Sequence, residues 1–123
     1  MPKPISRDNA AQYFWGEGCA SWHLLRDPNL SVIEESVPPG ACEVVHFHER
    51  AQQFFFILSG KATMVVEGEP TTFGVGQGLS IPPGVSHQFR NESNEQVTFL
   101  VISQPPSHGD RVEQASSRED STE

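Results

Sequence analysis

The feature that most constrains this chain is the short length of its apolar runs. These runs are rich in Val, Ile and Phe, and Gly, Pro or Asn interrupts them at close intervals. No segment carries a convincing helical stripe. The pattern therefore predicts an all-β fold, with strands at residues 22–25, 31–37, 41–48, 53–58, 62–67, 71–73, 79–81, 87–91 and 96–103.

The segments between these runs carry the residue types that form tight turns. Pro38-Pro39-Gly40, Ser59-Gly60 and Pro82-Pro83-Gly84 are examples. Many strands joined by short turns predict an antiparallel sandwich or barrel. The chain shows no internal repeat and no dividing linker, and its 123 residues fit one domain.

Composition separates this domain from the two ends of the chain. Residues 107–123 are almost free of apolar side chains, so burial cannot offset the entropy that ordering them would cost. We expect a flexible N-terminus over residues 1–10, a barrel domain over 11–106 and a disordered acidic tail over 107–123.

Charge excludes one class of partner. Eight Lys and Arg face sixteen Asp and Glu, a formal net charge of -8, which gives a nucleic-acid backbone no electrostatic reason to bind. No apolar run follows Lys3 and Arg7, so we predict neither a signal peptide nor a membrane span, and a cytoplasmic protein. In that compartment Cys19 and Cys42 are expected to be free thiols.

Histidines mark the chemical site. His46 and His48 are separated by one residue on a predicted strand, so both imidazoles leave the same face about 7 Å apart along the chain and can share an ion. Gln53 follows a short turn and opens the next strand. His87 begins a later strand, directly after the turn at Pro82-Pro83-Gly84.

The spacing around these histidines forms two motifs. In both, glycines flank the candidate ligands at fixed distances. The first motif consists of Gly40, His46, His48, Gln53 and Gly60. The second consists of Gly76, Pro82, Gly84, His87 and Asn91. In this order and at these spacings they resemble the two motifs of the cupin superfamily, with Gln53 where Glu is usual.

The resemblance implies a fold and a site. It implies a small double-stranded β-helix, or jelly-roll barrel, usually a dimer, with one divalent metal ion inside its mouth. The ligands it implies are His46, His48, Gln53 and His87. This set of three His and one Gln is similar to that of cupin-type aromatic polyketide cyclases, although a shared ligand set does not transfer a substrate.

The chemistry of the ligand atoms limits the identity of the metal to several candidates. Three imidazoles and an amide oxygen suit zinc, iron, nickel, manganese or copper, and do not suit calcium. If Gln53 coordinates, all the protein ligands are neutral, and the ion should favour an anionic guest. An amide can instead hydrogen-bond a bound water. In either role Gln53 cannot serve as a general base.

Three functions remain open at this point. The first is an enzyme that uses the metal as a Lewis acid, as an isomerase, cyclase or lyase, on a small carbonyl, enolate or carboxylate compound, anionic or aromatic. Its pocket would be lined by Phe55, Ile57, Val45 or Phe89. The second is a metal-dependent dioxygenase, which the lack of a base at Gln53 disfavours. The third is a non-catalytic ligand-binding or sensor protein.

Other residues carry weaker predictions. Glu34 and Glu35 alternate sides of their strand, so one of them is a candidate cavity acid or base, although solvated charges are commoner. His23 is interpreted as structural or peripheral. The run 54–58 is apolar on both faces of its strand, so its outer face needs a cover from the N-terminal strands or from a second subunit. We favour a homodimer.

Overall fold

The computed structural model describes residues 2–114, which form eleven strands and no helix. This confirms the predicted all-β class, and each predicted run overlaps a strand. The strands are β1 Ala11–Trp15, β2 Cys19–Asp27, β3 Leu30–Val37, β4 His46–His48, β5 Gln52–Ser59, β6 Lys61–Val66, β7 Glu69–Gly74, β8 Gly78–Ile81, β9 His87–Arg90, β10 Val97–Gln104 and β11 Arg111–Glu113.

Two antiparallel sheets form the barrel. The large sheet has the order β1-β2-β3-β10-β5-β8, and the small sheet has the order β11-β4-β9-β6-β7. The inner faces of both sheets meet in one apolar core, which is the arrangement of a jelly roll. Its largest fully buried members include Phe89, Phe99, Ile57 and Met64.

Strand β5 shows the alternation that the sequence predicted. Phe55 and Ile57 are buried at 2% and 0% exposure, whereas Phe54 and Leu58 on the other face are each 40% exposed. The N-terminal strands do not cover that outer face, because β1 and β2 extend the large sheet beyond β3. Of the two covers considered for it, the intramolecular one is therefore wrong.

Two parts of the predicted strand pattern differ from the structure. The predicted strand 41–48 is regular only over His46–His48, because the residues before it contact the end of β9 through separate backbone bonds rather than a continuous ladder. Strands β1 and β11 lie outside the predicted strand ranges. Each is at the edge of a sheet and is mostly exposed, and β11 has no apolar run, whereas β1 carries the aromatic run Tyr13-Phe14-Trp15.

The start of the predicted tail is ordered by polar contacts. Arg111–Glu113 pairs with β4, and the buried carboxylate of Asp110 accepts hydrogen bonds from the loop after His48. Composition cannot reveal such contacts, since it registers only the lack of apolar residues. Residues 115–123 of the predicted tail lie outside the described residues, and the domain boundaries stay a prediction.

Two further expectations concern the cysteines and membranes. Cys19 is buried, Cys42 is exposed, and both are free thiols, as predicted. Within residues 2–114 there is no helix long and apolar enough to cross a membrane.

Candidate metal centre

Strands β4 and β9 bring the three motif histidines together. His46 lies directly opposite His87 in the β4–β9 pair, and His48 leaves the same face of β4. All three side chains are buried, at 2%, 1% and 6% exposure. Their potential ligand atoms lie within 4.8 Å of one another, so the three histidines could hold one metal ion.

Backbone carbonyls fix the orientation of two of these rings. His46 Nδ1 lies 2.7 Å from the carbonyl oxygen of Val44, and His87 Nδ1 lies 3.0 Å from that of Val85. A carbonyl oxygen can only accept, so each Nδ1 carries the proton and each Nε2 keeps its lone pair. His87 Nε2 is buried without a hydrogen-bond partner in the described part of the chain. This is the state of an imidazole prepared to bind a metal.

Burial keeps the imidazoles uncharged. Desolvation lowers the pKa of His46 to about 4. Desolvation, together with the neighbouring His46 and His87, lowers the pKa of His48 to about 4, and burial also lowers the pKa of His87. At pH 7 all three rings are therefore neutral, which is the form that ligates metals.

Gln53 approaches the site from the large sheet. It is 6% exposed, and its Nε2 donates a hydrogen bond of 3.1 Å to Ser103 Oγ on β10. Its Oε1 is buried and has no hydrogen-bond partner among residues 2–114. Gln52 lies on the opposite face and is exposed. The amide oxygen of Gln53 is thus a free buried acceptor, and it fits a metal ion or a metal-bound water.

Motif glycines explain how the two histidine segments are joined. Gly84 has a φ of +79°, which L side chains rarely adopt, and its N–H donates to the carbonyl oxygen of His48 at 2.7 Å. Gly60 has a φ of +86°, and a Cβ there would lie 2.5 Å from the carbonyl oxygen of Gln96. Both glycines are required by backbone geometry rather than by the site chemistry.

Asp110 is a positioning residue that the sequence prediction missed. Its carboxylate accepts backbone hydrogen bonds of 2.9 to 3.2 Å from Glu49, Arg50 and Ala51, the loop that joins His48 to Gln53. Desolvation would raise the pKa of Asp110, but these donors together with the Arg50 guanidinium lower it overall. The aspartate therefore stays ionised and holds the loop between two candidate ligands.

A cavity of about 240 Å³ opens at this cluster. Its lining includes the predicted residues His46, His48, Gln53 and Phe55. Of the other residues predicted to line it, Ile57 and Phe89 are core residues, at 0% and 1% exposure, and the half-buried Val45 lies outside its lining.

Most of the charged and polar side chains that line the cavity belong to residues outside the two motifs. Glu35, Glu43, Tyr13, His108 and Arg111 also line it. Of these, sequence analysis had raised only Glu35, and His108 and Arg111 lie in the predicted tail. A neighbouring cavity of about 590 Å³ shares Tyr13 and His108 and includes His23, in keeping with a position of His23 away from the histidine cluster.

The family assignment follows from sequence comparison. The cupin domain family matches residues 33–103, which include both motifs. This chain is a cupin. An uncharacterised protein of Methanocaldococcus jannaschii is 30% identical over 110 residues, covering 84% of this cupin and 87% of the relative. The quercetin 2,3-dioxygenase of Bacillus subtilis is 29% identical over 68 residues, which cover 55% of this cupin but 20% of the relative.

Solved structures support the same fold. The polyketide cyclase RemF from Streptomyces resistomycificus matches with a TM-score of 0.80 and 20% identity, covering 92% of this cupin and 85% of RemF. The predicted double-stranded β-helix is therefore confirmed. At this level of identity the likeness shows the fold alone.

Proposed function

We propose that this cupin binds one divalent transition metal ion through His46, His48, His87 and Gln53. The observation that carries the proposal is that two buried acceptor atoms of the proposed ligands lack hydrogen-bond partners. His87 Nε2 and Gln53 Oε1 both lack hydrogen-bond partners within residues 2–114, and leaving such atoms unpaired is costly without a ligand. Zinc, iron, nickel or manganese suits this set of three imidazoles and one amide oxygen.

We further propose that the bound ion serves a small-molecule enzyme of the isomerase, cyclase or lyase type. The ion supplies polarisation of a carbonyl, enolate or carboxylate oxygen. Because all four proposed ligands are neutral, they leave the charge of the ion uncompensated. Phe55 supplies an apolar wall to the cavity. The cavity therefore suits an anionic or aromatic substrate.

The protein residues, rather than the ion alone, limit the reaction. Gln53 cannot take up a proton as a Glu could, so a proton-transfer step needs another group in the cavity. A metal-dependent dioxygenase is the second candidate, and the sequence similarity to quercetin 2,3-dioxygenase favours it.

Elemental analysis of purified protein tests the metal proposal. Wild-type protein should hold about one metal ion per chain, and His46→Ala or His87→Ala should lose it, because each removes one of few ligands. His23→Ala is the matched control and should keep the metal, since His23 lies outside the cluster. A wild-type protein without metal, or a His46→Ala protein that retains it, would contradict the proposal. Oxygen uptake with a flavonol would favour the dioxygenase over the carbonyl enzyme.

The cellular setting is also proposed rather than established. We infer a homodimer in which the outer face of β5 is covered by a second copy, because Phe54 and Leu58 are each 40% exposed in the single chain. A cytoplasmic location is a separate proposal.

A further inference from the structure

A hydrogen-bonded chain of side chains leads from the edge of the large sheet into the cavity. Trp15 Nε1 donates to Ser21 Oγ at 2.7 Å, and Ser21 Oγ lies 2.8 Å from Glu35 Oε2. Ser21 is completely buried and lies directly opposite Glu35 in the β2–β3 pair. None of the three residues belongs to the two metal-binding motifs.

The indole N–H determines the direction of these hydrogen bonds. An indole N–H can only donate, so Ser21 Oγ accepts from Trp15 and its own O–H proton points to Glu35. Glu35 Oε2 is therefore an acceptor in both protonation states. A proton that enters or leaves the carboxyl group is directed to its other oxygen, Oε1.

Only one of the two adjacent glutamates on β3 enters the cavity. Glu35 lines the same cavity as His46, His48 and Gln53. Glu34 leaves the opposite face, where it forms an ion pair with Arg7. This settles the choice between Glu34 and Glu35 that the strand pattern left open.

The surroundings of Glu35 suit reversible proton transfer near neutral pH. Burial, reinforced by the nearby Glu43 carboxyl, raises the pKa of Glu35 to about 8, while Ser21 and Arg111 oppose the rise. Tyr13 and Cys19 also interact electrostatically with Glu35, and His46, His48 and His108 line the same cavity. Efficient acid–base groups have a pKa near the working pH.

Glu43 is a weaker candidate although it lines the same cavity. Its Oε1 accepts the backbone N–H of Phe89 at 3.1 Å, so this carboxyl already serves to hold strand β9. Among residues 2–114, no backbone N–H donates a hydrogen bond to the Glu35 carboxyl group.

We propose that Glu35 is the catalytic acid–base residue of this cupin and shuttles a proton between two carbon or oxygen atoms of the substrate. The inference rests on the proposed function. In an isomerisation, the ionised Glu35 takes a proton from the carbon next to a carbonyl group. The C–H electron pair becomes the C=C π bond of the enolate, the carbonyl π pair moves onto the carbonyl oxygen, and a new O–H bond forms on Glu35. Return of a proton from Glu35 to another atom of the enolate restores the carboxylate, so the step needs no oxidant or co-reactant.

Sheet register indicates the length of the substrate. Gln53 pairs with Ser103 and Glu35 pairs with Phe99, four residues further back along β10, which separates the two rows by about 13 Å along the strand. A substrate that spans this gap has its reacting carbon several bonds from the oxygens nearest Gln53, as an extended keto acid can.

Deuterium exchange into a keto acid tests the inference without the natural substrate. Wild-type protein loaded with Zn²⁺ is incubated in D₂O with 2,4-dioxopentanoate, and with pyruvate as the shorter probe, and loss of each C–H signal is followed by NMR. Glu35→Gln should lower the accelerated exchange by about 100-fold or more. Its zinc content and fold should be unchanged, because the Gln amide oxygen can still accept from Ser21. Glu34→Gln is the matched control and should exchange like wild type.

A second measurement separates Glu35 from the metal site. Carboxyl-labelled Glu is titrated by ¹³C NMR in wild type and Glu35→Gln, and the signal missing from the variant is assigned to Glu35. We expect it to titrate well above the ordinary Glu value of about 4.3.

The outcomes can be distinguished. Exchange by Glu35→Gln within about threefold of wild type, at equal zinc content, would overturn the inference. Wild-type protein that binds zinc and both probes without exchange would also overturn it and leave the metal site standing. Failure of wild type to take up zinc would overturn the proposed function, and the titration would then decide on Glu35, since an ordinary pKa removes it as the acid–base group.

Discussion

Replacing Asn91 with alanine removes four hydrogen bonds from a position that is 1% exposed. The amide nitrogen donates to the carbonyl oxygens of Val37 and Glu95, at 3.0 and 2.8 Å. The amide oxygen accepts from the N–H and hydroxyl of Ser93, at 3.0 and 2.7 Å. Asn91 thereby fastens the end of the strand that carries His87 to strand β3.

The four bonds do not carry equal weight. Glu95 is exposed and Ser93 is partly exposed, so water can replace Asn91 as their partner. Val37 is fully buried, and its carbonyl oxygen would lose a donor that water cannot easily supply. A net bond contributes about 1 kcal/mol, and an unsatisfied buried group costs about 1–3 kcal/mol. We therefore expect Asn91→Ala to lower the free energy of unfolding by about 3 kcal/mol.

Urea denaturation followed by tryptophan fluorescence measures this change. Asn94→Ala is the matched control, because Asn94 lies in the same loop and is exposed, and it should cost less than about 0.5 kcal/mol. The transition slopes should be equal, so that the midpoints report stability. If Asn91→Ala were as stable as the control, the hydrogen bonds of Asn91 would not stabilise the fold, and the reasoning would be refuted.

Three further predictions concern the site and the assembly. Gln53→Glu should bind Zn²⁺ at least about 10-fold more tightly in a chelator competition, because a carboxylate is a stronger ligand than an amide, whereas Gln52→Glu on the exposed face should not. Asp110→Asn should weaken zinc binding by about 10- to 100-fold in the same assay by releasing the loop before Gln53, and wild-type affinity would contradict this positioning role. Light scattering after size exclusion should give a dimer at micromolar concentration that Leu58→Asp weakens, and a wild-type monomer throughout would refute the dimer.

The central strands were predictable because local pattern decides them. On β5, alternation alone placed Phe55 and Ile57 inside, since side chains on a strand face opposite sides in turn. The same rule put His46 and His48 on one face. Their meeting with His87 depends on the pairing of β4 with β9, which no local pattern specifies, and it was anticipated only through the motif resemblance.

The missed features depend on contacts between distant residues. Asp110 is a polar residue in a polar segment, and only its position below the loop after His48 makes it structural. Arg111 reaches the cavity because β11 pairs with β4. The choice between Glu34 and Glu35 depends on which side of β3 faces the core, and the register with Phe99 on β10 decides it.

The presence of Gln53 where Glu is usual in the first motif can be explained when it is considered together with Glu35. A Glu at position 53 that bound the metal would be held ionised by the positive charge and would be a poor proton acceptor. A neutral Gln53 leaves the full charge of the ion available to an anionic substrate. Glu35, half-buried in a different row of the sheet, has a raised pKa because desolvation and the nearby Glu43 carboxyl disfavour its ionised form. Separating the ligand from the acid–base group in this way lets one cavity combine strong polarisation of an oxygen with proton transfer near neutral pH.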